Sequence, residues 1–231
     1  MIKVGLIGFG TVGSAVVKIL QANAELIEQR TGDKIVIAKI CDKDISTPRE
    51  VKVAPRLLTT NVHDILDDPE IQIVIELVGG TEFAKEVVFA AIQRKKHIAT
   101  ANKALLSKYW PELFTAAQAN QTLVYFEASV AAGVPVIQSL NEGLAANKIS
   151  AITGILNGTT NYILTKMTQE NLSFEAALTQ AQQAGFAEAN PKLDIEGYDT
   201  AAKLAILCSL AYNAWIQPDR IYREGIEKVQ L

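Results

Sequence analysis

The chain has 231 residues, 49% of them hydrophobic, and a formal net charge of −3. That length and apolar content suffice for one large or two modest domains with their own cores. The mild acidity, with no basic run and no aromatic-interleaved patch, argues against nucleic acid, and no apolar run reaches the length of a membrane span.

Residues 2–7, IKVGLI, read as a short buried strand, which makes the N-terminus a strand rather than a signal peptide. Gly8, Phe9, Gly10, Thr11, Val12 and Gly13 follow at once, and residues 14–29 read as a helix. This is G-x-G-x-x-G in a strand–turn–helix setting, a dinucleotide-binding signal. The first glycine permits the tight turn, the second lets the backbone approach a pyrophosphate, and the third lets helix and strand pack closely. The N–H groups at the helix start then face the phosphates. Residues 34–41 form a second strand ending at Asp42 and Lys43. An acid there suits ribose hydroxyls and a cation suits a 2′-phosphate, so both NAD and NADP stay open, beside a plain solvated turn.

Strands over 71–78, 97–100 and 123–127, with a helix over 82–95, continue an alternation typical of a doubly wound parallel sheet. The loop after the fourth strand carries Lys103 on the ligand edge. His97, at the start of its strand, reads as structural, and His63 as surface near a helix start. With these the only histidines, no His/Cys cluster has metal-ligand spacing. Cys41 and Cys208 sit inside apolar runs and read as core residues of a reducing, cytoplasmic compartment.

After Glu127 the pattern changes. A small-residue loop over 128–135 leads into a helix, a strand is expected over 148–154, and helices start at Gly158 and near 173. The fold expected is α/β, with a Rossmann-type NAD(P)-binding domain over 1–130 and an α+β domain over 131–231. Residues 185–203, GFAEANPKLDIEGYDTAAK, place Glu188, Asp194, Glu196, Asp199 and Lys203 just ahead of and within an apolar helix. Asp199 and Lys203 share one helix face. An exposed ion pair is the bland reading of that spacing.

The motifs GFGTVG (8–13), VIELVGG (74–80), TANKALL (100–106), FEASVAAGVPVI (126–137), GILNGTTNYIL (154–164) and AGFAEANPKLDIEGYDTAAKLAIL (184–207) together resemble homoserine dehydrogenase over nearly the whole length. The resemblance implies NAD(P)-dependent interconversion of L-homoserine and L-aspartate 4-semialdehyde, on the way to threonine and methionine. It implies Lys203 as the acid/base, Asp194 and Lys103 at the reaction centre, and Glu188 and Asp199 on the substrate. It implies cofactor contacts from the glycine loop, Lys43, Lys103 and Gly185. It also implies a structural sodium ion on Glu127 and the carbonyls of Val130, Ala132 and Val134, and a homodimer, with 131–231 as the substrate and dimerisation domain. Relative to the family the chain is expected to be shortened at its C-terminus, with 224–231 starting a strand of the substrate domain. Two other readings are another small hydroxy-acid or semialdehyde dehydrogenase and a nucleotide-binding fragment without turnover.

The chemistry is consistent. Hydride addition to an aldehyde makes an alkoxide that needs a proton donor within hydrogen-bond reach. A free lysine titrates near 10.4, so burial or a second cation is needed to make it an effective acid. The sequence leaves the choice between NAD and NADP open.

Overall fold

The computed structural model describes residues 1–230. They divide into two compact units, Met1–Ser129 and a second from Val130 onward.

The first unit is built on a six-stranded sheet of order β3-β2-β1-β4-β5-β6. The strands are β1 (Ile2–Ile7), β2 (Ile35–Cys41), β3 (Leu58–Thr59), β4 (Ile71–Glu76), β5 (His97–Thr100) and β6 (Val124–Tyr125). All neighbouring pairs are parallel. This is the strand order of the dinucleotide fold, and it reverses direction of growth between β1 and β4, where such sheets open a ligand crevice. Helices α1 (Thr11–Ala22), α2 (Ala24–Thr31), α3 (His63–Leu66), α4 (Glu82–Gln93) and α5 (Lys103–Asn120) supply the crossovers. The central strands read as near-continuous apolar runs because they are covered on both faces: Val4, Leu6 and Ile7 of β1 and Ile71 and Val74 of β4 are all buried. Leu6, Phe9, Val17, Ile40 and Val51 form one core cluster beneath the glycine loop.

Several expected boundaries move. The helix expected over 14–29 starts at Thr11 and breaks at Asn23, whose φ of −110° and ψ of 17° lie outside the helical region. The strand expected over 71–78 stops at Glu76, where the chain turns toward Gly80. The strand expected over 123–127 keeps only Val124 and Tyr125 in the ladder, and Glu127–Ser129 winds into a 3-10 turn. Helix α5 bends at Tyr109 (φ −118°, ψ 23°). Pro111 lies just beyond that bend; its ring clashes with the preceding turn and it offers no N–H to the helix ladder.

The second unit contains α6 (Val136–Gln138) with a π turn over Ser139–Gly143, α7 (Gly158–Glu170), α8 (Phe174–Gln183), α9 (Lys192–Ile195) and α10 (Tyr198–Ala211). Its core joins Ile163 and Met167 of α7, Ala177 and Ala181 of α8, and Ala187 and Ile195. Small alanines at the α7–α8 contact let the two helices approach closely, as ridges-into-grooves packing requires. The strand expected over 148–154 is absent: that stretch is irregular. Its alternating apolar pattern suits a strand, but a strand forms only against a partner that takes up its backbone groups, and no second-unit segment among the described residues offers one. The strand expected from 224 onward is likewise absent through 230, and Leu231 lies outside the described residues.

Candidate functional site

The glycine loop joins β1 to α1. Gly8 has φ of +101°, and a Cβ there would lie 2.6 Å from the Leu77 carbonyl oxygen, so only glycine fits. A Cβ on Gly13 would lie 2.0 Å from the Gly8 carbonyl oxygen. That contact is what lets α1 start so close to the strand end. A Cβ on Gly10, by contrast, would meet nothing within 4 Å. Gly8 and Gly10 border a cavity of ≈ 570 Å³ whose wall includes Asp42, Lys43, Thr60, Val78, Gly79 and Phe83. A bare glycine backbone facing open space at the start of a helix is the cradle a pyrophosphate needs, so these residues fit a dinucleotide.

Asp42 is committed to the loop itself. Its Oδ2 accepts from the Phe9 N–H at 2.5 Å and its Oδ1 from the Asp44 N–H at 2.9 Å. The acid at the end of β2 therefore braces the glycine turn. Lys43 is exposed and lines the cavity. A cation absent from the sequence reading is Arg49, which lies 6.0 Å from the Phe9 ring centroid and 3.5 Å from Asp44. It borders a second cavity of ≈ 340 Å³ with Gly10, Thr11, Ser14 and Lys18. Nothing in the spacing of Arg49 marks it; the long β2–β3 connection brings it back to the loop.

The ends of β4 and β5 are tied together by a carboxylate. Glu76 is fully buried, and accepts from the Thr100 hydroxyl at 2.6 Å and the Val78 N–H at 2.9 Å. Burial pushes its carboxyl up from the ordinary value, partly offset by Thr100, Val78 and Asn102. Asn102 caps α5 by accepting from the Leu105 N–H and donates to the Val78 and Gly80 carbonyls at 3.3 and 2.8 Å. Lys103 is thereby fixed as the first residue of α5 rather than a loop residue. His97 accepts from the Leu123 N–H through Nδ1 at 3.0 Å, a structural tie between β5 and β6. His63 is exposed and contacts Asp67.

In the second unit, Lys203 and Asp199 of α10 form a 2.6 Å ion pair whose side chains are only 20% and 10% exposed. That burial removes the bland reading of a solvated pair. Lys203 Nζ also donates to the Leu156 carbonyl at 2.9 Å. Asn157 donates to Asp194 Oδ1 at 2.7 Å and to Asp199 Oδ2 at 3.0 Å. Asp194, Asp199 and Lys203 thus come together. Glu188 does not join them: its side chain is exposed and hydrogen-bonds to none of the three, while its carbonyl accepts from Gln182. Asp194 lines a cavity of ≈ 220 Å³ with Thr160, Gly197, Thr200 and Leu204; Asp199 and Lys203 are outside its wall. Gly185 (φ 77°) turns the chain after α8, its N–H donating to the Gln182 carbonyl.

Of the cation residues, Glu127 opens the 3-10 turn that ends the first unit. In the second, Val130 is buried, Ala132 holds a left-handed φ of 49°, and the carbonyl of Val134 accepts from the Val136 N–H at 2.8 Å. Among the described residues no group of three or more His, Cys, Asp and Glu side chains is placed to hold a metal ion. No helix among them is long and apolar enough to cross a membrane.

Residues 8–127 match the family model described as homoserine dehydrogenase, NAD binding domain, and residues 135–231 match the model for homoserine dehydrogenase. The chain belongs to the homoserine dehydrogenase family. It is 44% identical over 228 residues to the homoserine dehydrogenase of Bacillus subtilis, covering 99% of this chain and 53% of that protein. Against the Synechocystis homoserine dehydrogenase it is 44% identical over 231 residues, covering 99% and 52%. The crystal structure of a homoserine dehydrogenase from Thiobacillus denitrificans superposes with a TM-score of 0.90 at 45% identity, covering 99% of this chain and 53% of that one. A hyperthermophilic archaeal homoserine dehydrogenase in complex with NADPH superposes at 0.82 with 26% identity, covering 99% and 75%. The chain spans about half the length of the curated relatives it matches.

Proposed function

We propose that this chain carries the cofactor-binding and proton-transfer parts of an NAD(P)-dependent homoserine dehydrogenase, interconverting L-homoserine and L-aspartate 4-semialdehyde. The observation that carries the reading is the buried Asp199–Lys203 pair, gathered with Asp194 in the unit that matches the homoserine dehydrogenase model. A bound nicotinamide dinucleotide supplies or accepts the hydride. Gly8, Phe9, Gly10, Thr11, Val12 and Gly13 hold its pyrophosphate, with Lys43, Lys103 and Gly185 as further contacts. NADP is the form we favour among the two, because Asp42 is already engaged by two backbone N–H groups while Lys43 faces the cavity.

Lys203 Nζ gives a proton to the alkoxide in reduction and takes it back in oxidation. Asp199 holds that ammonium in place, and Asp194 faces the reacting end of the substrate. Glu188 binds the substrate's α-ammonium, and its exposed position leaves its carboxylate available to an incoming amino acid. The sodium site on Glu127, Val130, Ala132 and Val134, the homodimer and the cytoplasmic location are carried by the family resemblance alone. The test is a steady-state assay of the purified chain with L-homoserine, run with NAD and NADP in parallel against a panel of other small hydroxy acids. Selective homoserine-dependent cofactor reduction supports the reading. Equal or faster turnover of another hydroxy acid, or dinucleotide binding with no turnover of any, replaces it.

A further inference from the structure

Lys203 and two carboxylates converge on one corner of backbone, residues 156–157. Asn157 is buried, with 6% exposure. Its Oδ1 accepts from the Thr160 N–H at 2.9 Å and the Thr160 hydroxyl at 3.0 Å, which caps α7. Its Nδ2 spends one hydrogen on Asp194 and the other on Asp199. A carboxamide has two donors and two acceptor sites, so the group is saturated and its orientation is fixed by its partners. A helix cap needs only the oxygen side. The nitrogen side reaches residues 37 and 42 positions away in sequence, on two different helices.

We propose that Asn157 is the positioning residue of this site, a neutral double donor that holds Asp194 next to the Asp199–Lys203 ion pair. Without it, Asp194 and Asp199 would lie side by side with no donor between them, and their surplus negative charge would bear on Lys203. With it, each carboxylate gives one oxygen to an N–H donor, and Lys203 keeps Asp199 and the Leu156 carbonyl as its partners. The amide thus sets the place of the ammonium through Asp199, the carboxylate that both of them bind. Other charged groups on the segments packed against α10 point elsewhere. Lys192 pairs with Glu196, Glu142 accepts from Gln138, Arg223 lies over the Tyr198 ring, and Glu224 accepts from Tyr222. Asp219 and Arg220 in the 3-10 turn 218–220 make no hydrogen bond to Lys203.

The inference rests on the reading of Lys203 as the proton-transfer group, and the experiment separates the two. The full chain, Asn157→Asp and Asn157→Ser are treated with formaldehyde and cyanoborohydride across a pH series, and methylation of the Lys203 peptide is followed by mass spectrometry. Asp and Ser both cap helices, and circular dichroism checks that α7 is retained. If Asn157→Asp does not fold, Asn157→Ser carries the test. In Asn157→Asp the pH midpoint of Lys203 methylation moves up by about one unit, as a new carboxylate within a few ångströms of a cation demands. In Asn157→Ser it moves the same way by less. The rising limb of homoserine oxidation moves with it, kcat at neutral pH falls about tenfold, and the KM for the dinucleotide stays put. An unchanged midpoint in both variants means that Asn157 is only a helix cap and overturns the inference. A shifted midpoint in a chain whose turnover survives Lys203→Ala upholds the positioning of Lys203 and sinks its assigned role in the reaction.

Discussion

Gly13→Ala and Gly10→Ala separate the packing and binding duties of the glycine loop. The Cβ of Gly13→Ala would start 2.0 Å from the Gly8 carbonyl oxygen and 3.7 Å from Leu6 Cδ2. An ordinary contact is about 3.5 Å, so α1 must withdraw by roughly 1.5 Å. Both neighbours are poor at yielding: the first is backbone and the second belongs to the buried cluster with Val17. Overpacking of this kind costs about 2–3 kcal/mol. For a unit of this size that corresponds to a drop in Tm of roughly 6–12 °C. Moving α1 also turns the loop N–H groups off the pyrophosphate, so dinucleotide affinity falls too. The Cβ of Gly10→Ala meets nothing, and Gly10 already has extended backbone angles (φ −75°, ψ −156°) that alanine adopts. Its Tm is expected to stay within about 2 °C of wild type, while on the proposed cofactor reading dinucleotide affinity falls at least about tenfold, because the methyl enters the space that reading gives to phosphate. Thermal unfolding by circular dichroism and calorimetric titration with NAD and NADP read the two effects. A Gly10→Ala protein that binds as tightly as wild type would remove the loop from the cofactor site. A Gly13→Ala protein of undiminished Tm would refute the packing argument.

Asp199→Ala strands the Lys203 ammonium, four-fifths buried, and is expected to cost about 2 kcal/mol after discounting for its residual exposure. Glu196→Ala removes the nearby exposed Lys192 pair at 3.6 Å and is expected to cost under about 0.5 kcal/mol; equal costs in urea unfolding would contradict the distinction. Glu76→Gln tests a pH dependence. Burial raises the native carboxyl above its ordinary range, so the native state binds the proton more tightly than the unfolded chain. The contribution of Glu76 to stability is then greatest below the ordinary carboxylate value and declines as pH rises through the native one. The stability advantage of wild type over Glu76→Gln should shrink as pH rises above the ordinary carboxylate value, and an advantage that grows with pH there is inconsistent with this sign.

Much of the first unit was legible because its signals are local. The apolar run IKVGLI followed by GFGTVG can hardly be read otherwise, and the GYDTAAKLAILCSLA run gives α10. What the sequence concealed depends on distant partners. The two-residue strand β3 exists only because Ile40 and Cys41 present an open edge to Leu58 and Thr59. KISAITG has a strand-like pattern and no ladder, so it stays irregular. The Asp42 side chain looks like a ribose ligand until Phe9, 33 positions away, is seen donating to it. Asn157 sits inside GILNGTTNYIL, and the Asn–Gly–Thr–Thr start of α7 signals a helix cap. Its second face, toward Asp194 and Asp199, leaves no trace in spacing. Helical period alone pairs Asp199 with Lys203, but their burial and their contacts with residues 156–157 are tertiary and leave no mark in the spacing.

The central claim is that Lys203 moves the proton while the rest of the chain holds cofactor and substrate. The direct measurement is homoserine-dependent NADP reduction by Lys203→Ala beside wild type, with dinucleotide affinity measured on the same samples. Loss of an acid/base group predicts a fall in kcat of about 10²–10⁴-fold with affinity for NADP within about twofold of wild type. Collapse of NADP affinity with turnover per bound cofactor preserved would contradict the account.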